Sequence, residues 1–263
     1  MKIILSRKGF DSASGRCPSP IMPDGTLLSL PIPSGDAVQY RDLRYGNHGY
    51  DLLLQGLKPR VDFGGCHVDP DIRDGIRAAP VRGWKPAFGQ AGSALGVLRN
   101  AGVGIGDLFL FFGLFRQAEL WGDSIRFVWG SKPLHIVYGY LQIGKMLDAP
   151  GDMAAYPWHP HASGEGYGRG KNTLYVPRET LSLCPSLPGH GVLPLRADRV
   201  LTKRGANAAT WEERSFLMPG SIIGNRKNCA QQGGVYYAGQ WQELVLQPCP
   251  EAERWALGLI GAE

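Results

Sequence analysis

Glycine and proline interrupt nearly every apolar run in this chain, and that limits the fold more than any other feature. The 37 glycines and 20 prolines are about a fifth of the 263 residues, a share below that of disordered low-complexity chains. Helices of many turns become scarce, and short strands joined by ordered loops become the expectation. Strands are expected at 2–6, 26–30, 108–115, 134–143, 173–176 and 241–247, where β-branched, aromatic and leucine residues fall between breaks. Two segments read as helices. One is "QAGSALGVLRN" at 90–100, closed by Gly102 in a C-terminal capping position. The other is "PEAERWALGLI" at 250–260, where Pro250 and early acids suit a helix start.

The predicted fold class is α+β, a strand-rich single domain over residues 1–263 with short strands, long ordered loops and few helices. "LFLFFGLF" at 108–115 is apolar without alternation, which implies a strand covered on both faces. The order "GVGIGD", "LFLFFGLF", "PLHIVYGYLQIGKML" is similar to barrels of the PUA type. The glycine alternation in "GVGIGD" is not a dinucleotide fingerprint, because that motif needs strand, glycines, then helix, and here the strand follows the glycines. No internal repeat is visible. The run 150–172 is the best boundary candidate, but its chemistry suits a functional loop within one domain.

Bulk properties exclude several classes. No apolar stretch approaches the ~18 residues of a membrane span, and "MKIIL" runs into charged residues without the layout of a leader. A soluble, cytoplasmic protein with no membrane partner is expected. The net charge of +5 is mild and spread along the chain, unlike a basic nucleic-acid tail. Arginine outnumbers lysine 19 to 9, and its planar fork suits phosphate, carboxylate or base stacking. The five cysteines are scattered and never form a C-x-x-C pair, so neither a disulfide framework nor a cysteine zinc site is expected.

Two constellations carry chemistry. In "GGCHVDPDI" at 64–72, an extended chain would turn His67, Asp69 and Asp71 to one face. In "YPWHPHAS" at 156–163, His159 and His161 are likewise two apart. Three imidazoles and two carboxylates would suit a divalent metal such as iron, manganese or zinc. The structural alternative is that the acids cap turns and the histidines sit on a wet loop. The second constellation is "SRKGFDSASG" at 6–15, directly after the first strand. A turn needs its Gly, Ser and Asp, but not the adjacent Arg7 and Lys8 with Phe10 as well. Asp11 would serve as a general base, with Arg7 and Lys8 clamping an anion and Phe10 and Ser12 completing the loop. The alternative has solvated cations and Asp11 closing an Asx turn with Ser12 or Ala13. Trp158 is the aromatic residue singled out for stacking a base. Cys66 and His135 read as buried structural residues.

Three stretches taken together carry a family resemblance: "SRKGFDSASGRCPSPIMPDGTLLSLPIP", "FGQAGSALGVLRNAGVGIGDLFLFFGLFR" with "HIVYGYLQIG", and "WHPHA", closed by "GQWQELVL". The chain resembles the nucleotide modification associated domain 3 family of bacteria and phages. The resemblance implies work on nucleotides or nucleic acid, DNA more than RNA, beside other base-modification proteins. It brings no residue-by-residue catalytic template. Arg7, Lys8, Asp11, Gln90, Arg116, His159 and His161 lie in the family-like stretches, and "CHVDPD" falls between them.

Three functions compete. The first is an enzyme modifying a nucleotide or a DNA base. Arg7, Lys8, Phe10, Ser12, Gln90, Arg116 and Trp158 would hold substrate, Asp11, His67 and Asp69 would move protons, and a metal would sit on His67, Asp69, Asp71, His159 and His161. The second is a PUA-like module that binds modified bases without catalysis, which needs an aromatic cage and no acid/base pair. The third is a metal-dependent oxidase or hydrolase of a small molecule.

Overall fold

The computed structural model describes residues 1–58, 64–122, 124–163, 171–224, 229–231, 234–237 and 242–262. In chain order its strands are β1 (Ile3–Arg7), β2 (Ser19–Ile21), β3 (Ile32–Pro33), β4 (Arg44–Tyr45), β5 (His48–Gly49), β6 (Cys66–His67), β7 (Phe88–Ala91), β8 (Leu108–Trp121), β9 (Ser124–Phe127), β10 (Leu134–Leu147), β11 (Asn172–Pro177), β12 (His190–Val192), β13 (Ile222–Ile223), β14 (Ala230–Gln231), β15 (Gly234–Val235) and β16 (Glu243–Leu246). The helices are α1 (Tyr50–Leu57), α2 (Gly92–Asn100), α3 (Pro150–Met153), α4 (Pro160–Ser163) and α5 (Pro250–Ile260).

The architecture is α+β. Ten strands form one mixed, curled sheet along the path β13-β16-β1-β8-β10-β11-β7, with β2 and β9 on β8 and β12 on β10. Among the described residues the path is open, with β7 and β13 at its edges. The first strand runs parallel to β8 and antiparallel to β16. The expected burial of 108–115 on both faces holds. Leu108, Leu110 and Phe112 join one core with Ile3, Leu5 and the α5 residues Ala252, Ala256 and Leu259. Phe109 and Phe111 join the other with Ile4 and the α2 residues Leu95 and Leu98.

Several sequence expectations change. The stretch 26–30 is not a strand; only Leu27 makes an isolated bridge, to Ile21, while the backbone folds around Asp24 and Gly25. Gln90 and Ala91 open no helix. They belong to β7, because Asn172 and Thr173 of β11 pair with Ala91 and Gln90. The strands at 108 and 134 run to Trp121 and Leu147. Position 241, the start of the last expected strand, lies outside the described residues. Among the described residues no helix is long and apolar enough to cross a membrane.

Candidate functional site

The chain leaves β1 through Gly9, whose φ of +82° suits glycine, and the "SRKGFD" loop forms one wall of a cavity of about 450 Å³. Arg7, Lys8 and Asp11 line it from this side, with Gln90 of β7 and Gln242 beside β16. His67, Asp69 and His161 line it from the other. The two sequence constellations therefore meet across one space.

The cation side is closely paired. Asp11 Oδ1 accepts the backbone N–H groups of Ala13 (2.7 Å) and Ser14 (2.6 Å), and Oδ2 lies 3.2 Å from the Arg7 guanidinium. Asp11 thus makes the Asx turn of the structural alternative and holds Arg7 as well. Lys8 Nζ sits 3.4 Å from Glu243 Oε1 and 4.5 Å from the Phe88 ring centroid. Glu243 Oε1 also accepts from Ser6 Oγ (2.9 Å) and Gln90 Nε2 (2.6 Å). Burial pushes the Glu243 carboxyl up, against the opposing pull of Lys8 and these hydrogen bonds.

On the other side, His67 Nδ1 meets Asp36 Oδ2 at 2.7 Å, and His161 Nδ1 meets Asn172 Oδ1 at 2.7 Å. The Asn172 amide is oriented by Nδ2, which donates to the His161 carbonyl at 2.8 Å. The Nε2 atoms of the two rings face each other at 3.2 Å. One ligand-type atom from each of His67, Asp69 and His161 lies within 4.8 Å of the other two. The Asp69 Oδ1 atom accepts Gly89 N–H at 2.7 Å and lies 3.3 Å from His159 Nε2. Burial alone would raise the Asp69 carboxyl. The hydrogen bond from His159 and the positive fields of His161, His159 and Lys8 outweigh it and hold the carboxyl well below its usual range. Burial pushes the His161 ring down to about 4, against the field of Asp69, so it is neutral near pH 7. Gly89 is needed here for space: a Cβ at that position would lie 2.2 Å from His161 Cδ2 and Cγ.

Other expected site residues lie elsewhere. Asp71 does not join His67 and Asp69. It is fully buried and bonded by both oxygens to Arg77 (3.1 and 2.7 Å), with Trp84 Nε1 donating at 3.0 Å. Its backbone pairs with Ala87, and it does not line the cavity that His67 and Asp69 share. His159 stands behind Asp69, fully buried, and does not line the cavity. Phe10 is fully buried against Tyr40 in a separate core and cannot stack a substrate. Ser12 is exposed on the outer loop, and Asp11 bonds past it to residues 13 and 14. Arg116 donates to Ser131 Oγ (3.1 Å) and the Val128 carbonyl (3.1 Å) beside β9, away from the cavity lining. Trp158 packs against a small core around Ala87, Met153, Tyr156 and Leu174. Cys66 is fully buried, and burial first, then nearby Asp36 and Asp42, push its thiol up to about 12. Asp36, Asn172, Gln242 and Glu243 were not foreseen. None lies in a recognisable local pattern, and Asp36, Gln242 and Glu243 are brought in by contacts over long sequence distances.

A family model described as nucleotide modification associated domain 3 matches residues 2–247. No curated protein and no solved structure matches the chain.

Proposed function

The chain belongs to the nucleotide modification associated domain 3 family, and from that premise we propose that it is an enzyme that modifies a nucleotide or a DNA base inside this cavity. The carrying observation is the pair of imidazoles facing each other at 3.2 Å beside Asp69, across from Arg7, Lys8 and Gln90. Asp69, His67 and His161 meet the reacting group of the substrate. Arg7, Lys8 and Gln90 position the polar parts of the substrate, and Asp11 holds Arg7 in place. A base in duplex DNA reaches such a cavity only after leaving the stack, which a mismatched or single-stranded base does at least cost. DNA is the expected polymer, and the whole chain acts as one domain.

The binding-module reading loses ground on one observation. Among the described residues no phenylalanine, tyrosine or tryptophan lines the cavity, whereas a reader of modified bases needs stacking surface. Two imidazoles and a carboxylate line it instead.

The test is incubation of the full chain with nucleotides, single-stranded DNA and duplex DNA, together with a small-molecule extract as co-substrate. Mass spectrometry of the digested nucleosides follows. A mass change at one nucleoside that falls about 100-fold in Asp69→Asn supports the reading. No mass change with any substrate, from protein that still folds, removes it.

A further inference from the structure

We propose that His67, His161 and Asp69 hold one divalent first-row transition metal through the two Nε2 atoms and Asp69 Oδ2, with the remaining coordination positions open to the cavity. The proposal deepens the reading of that cavity as the reaction site, but its test needs no substrate.

The hydrogen-bond partners of the two rings fix where their protons are. The Asp36 carboxylate oxygen and the Asn172 carbonyl oxygen can only accept hydrogen bonds, so both Nδ1 atoms they meet carry the proton. In a neutral imidazole the other nitrogen then presents its lone pair. With both rings neutral, the two Nε2 atoms aim lone pairs at each other across 3.2 Å. Two acceptors cannot bond one another, and a positive centre shared by both resolves the conflict. The spacing suits a metal. Donors 3.2 Å apart, each ~2.1 Å from a metal, subtend about 100° at it, between octahedral and tetrahedral angles.

Asp69 completes the set. Its Oδ1 is taken by Gly89 N–H and faces His159, so Oδ2 is the oxygen left for a metal. One carboxylate oxygen of Asp69 lies within 4.8 Å of a ring nitrogen of each histidine, so a turn or shift of the side chain by about 1 Å brings the carboxylate to a metal–oxygen distance of ~2.1 Å. His159 acts as a positioning residue. Its Nδ1 accepts the His161 backbone N–H at 3.2 Å, so its proton is on Nε2, pointing to Asp69. Every ligand therefore has an outer partner that fixes its proton or its orientation: Asp36 for His67, Asn172 for His161, Gly89 and His159 for Asp69. Outer shells of this kind tune metal ligands.

The donor set selects the metal class. Two imidazoles and one carboxylate suit Fe(II), Mn(II), Co(II) and Zn(II) better than the all-oxygen cations. Cys66 is fully buried in a separate core and does not line the cavity, so it adds no sulfur ligand. Three protein ligands leave positions for water or substrate, as catalytic centres do and closed structural sites do not. The same three residues border the cavity of about 450 Å³.

The experiment strips the purified, untagged full chain with a chelator and titrates it with Co(II). It is read by elemental mass spectrometry, visible absorption and proton NMR. The expected result is about one Co(II) per chain and two paramagnetically shifted, exchangeable imidazole resonances, the Nδ1–H protons of two ligating histidines. His67→Gln and His161→Gln should each weaken Co(II) binding at least tenfold. His159→Gln should weaken it less than either, while Arg126→Ala should not change it. Less than a tenth of an equivalent bound by folded wild-type chain, with Co(II), Zn(II), Mn(II) and Fe(II) alike, overturns the proposal. So does full retention in both ligand variants, or shifted resonances from no histidine. The wild-type NMR count decides the matter should a variant fail to fold. Bound metal in a chain that leaves every nucleotide unchanged would remove the functional reading and leave the centre standing. Nucleotide modification by a metal-free chain would do the reverse.

Discussion

His135 and His161 are both buried imidazoles whose surroundings push them towards the neutral form, yet they sit in regions of opposite character. His135 lies in β10 among Phe112, Trp211 and Tyr237, and its Nδ1 accepts the Trp211 indole N–H at 2.9 Å. Its lone pair is spent inside the core. His161 gives its Nδ1 proton to Asn172 and turns its lone pair towards His67 and the cavity. Burial and a lowered pKa are thus common to a structural histidine and a candidate ligand. The difference is whether the anchoring partner donates or accepts, because that decides which nitrogen is left to do chemistry.

The largest effect should separate the two. His161→Gln is expected to lower nucleotide modification by about 100-fold to 10,000-fold, and His135→Gln to leave it within a few-fold. Equal losses in an end-point modification assay would erase the distinction. Gly89→Ala comes next. Its Cβ would lie 2.2 Å from the His161 ring, so the ring must move by about 1 Å, worth about 100-fold in rate. An active Gly89→Ala chain would show that His161 need not stand where it does.

Stability tells the complementary story. His135→Ala opens a cavity and strips the Trp211 indole of its acceptor, which should cost about 3 kcal/mol in urea unfolding. A proton contributes as well. His135 is held down to about 3 by burial first and then by Arg7, against an ordinary value of 6.5. Below pH 6.5 the unfolded ring takes up a proton that the folded ring refuses. Stability from this group is complete above about 6.5 and declines as pH falls towards about 3. The acid limb of the stability curve should flatten in His135→Gln, and an unchanged limb would place the titration elsewhere. The smallest effect belongs to Arg116→Ala. Its hydrogen bonds to Ser131 and Val128 lie outside the cavity lining, so activity should change less than about twofold and stability by about 1 kcal/mol or less. A loss of substrate affinity, measured as a raised KM, would restore it to the site.

The legible part of the molecule was its local part. The apolar runs from Leu108 and Leu134 showed as strands, though not their full extent to Trp121 and Leu147, and "PEAERWALGLI" showed as the helix Pro250–Ile260. "CHVDPD" and "WHPHA" showed as ligand-type clusters because histidines and acids spaced by two are visible in any chain. The alternation that found His67 and Asp69 overreached at Asp71, where a buried carboxylate took the nearest bidentate partner, Arg77. Asp36, Asn172 and Glu243 stayed hidden for the opposite reason. Nothing around them repeats, and their meaning comes from partners 31, 11 and 237 residues away. Phe10 misled because an aromatic between charged residues looks exposed in one dimension. Its loop instead tucks it under Tyr40.

Glu243 also has a consequence in time. Ser6, Lys8 and Gln90 converge on its carboxylate, and β1 has β16 as its antiparallel neighbour. On a ribosome those partners emerge more than 150 residues before the group that joins them, since Gln90 and Glu243 are 153 apart. Until then the first strand has one open edge and the cation wall of the cavity is unassembled. A growing chain therefore carries Ser6, Lys8 and Gln90 without the carboxylate that gathers them, and a product cut short before β16 should show none of the proposed nucleotide modification.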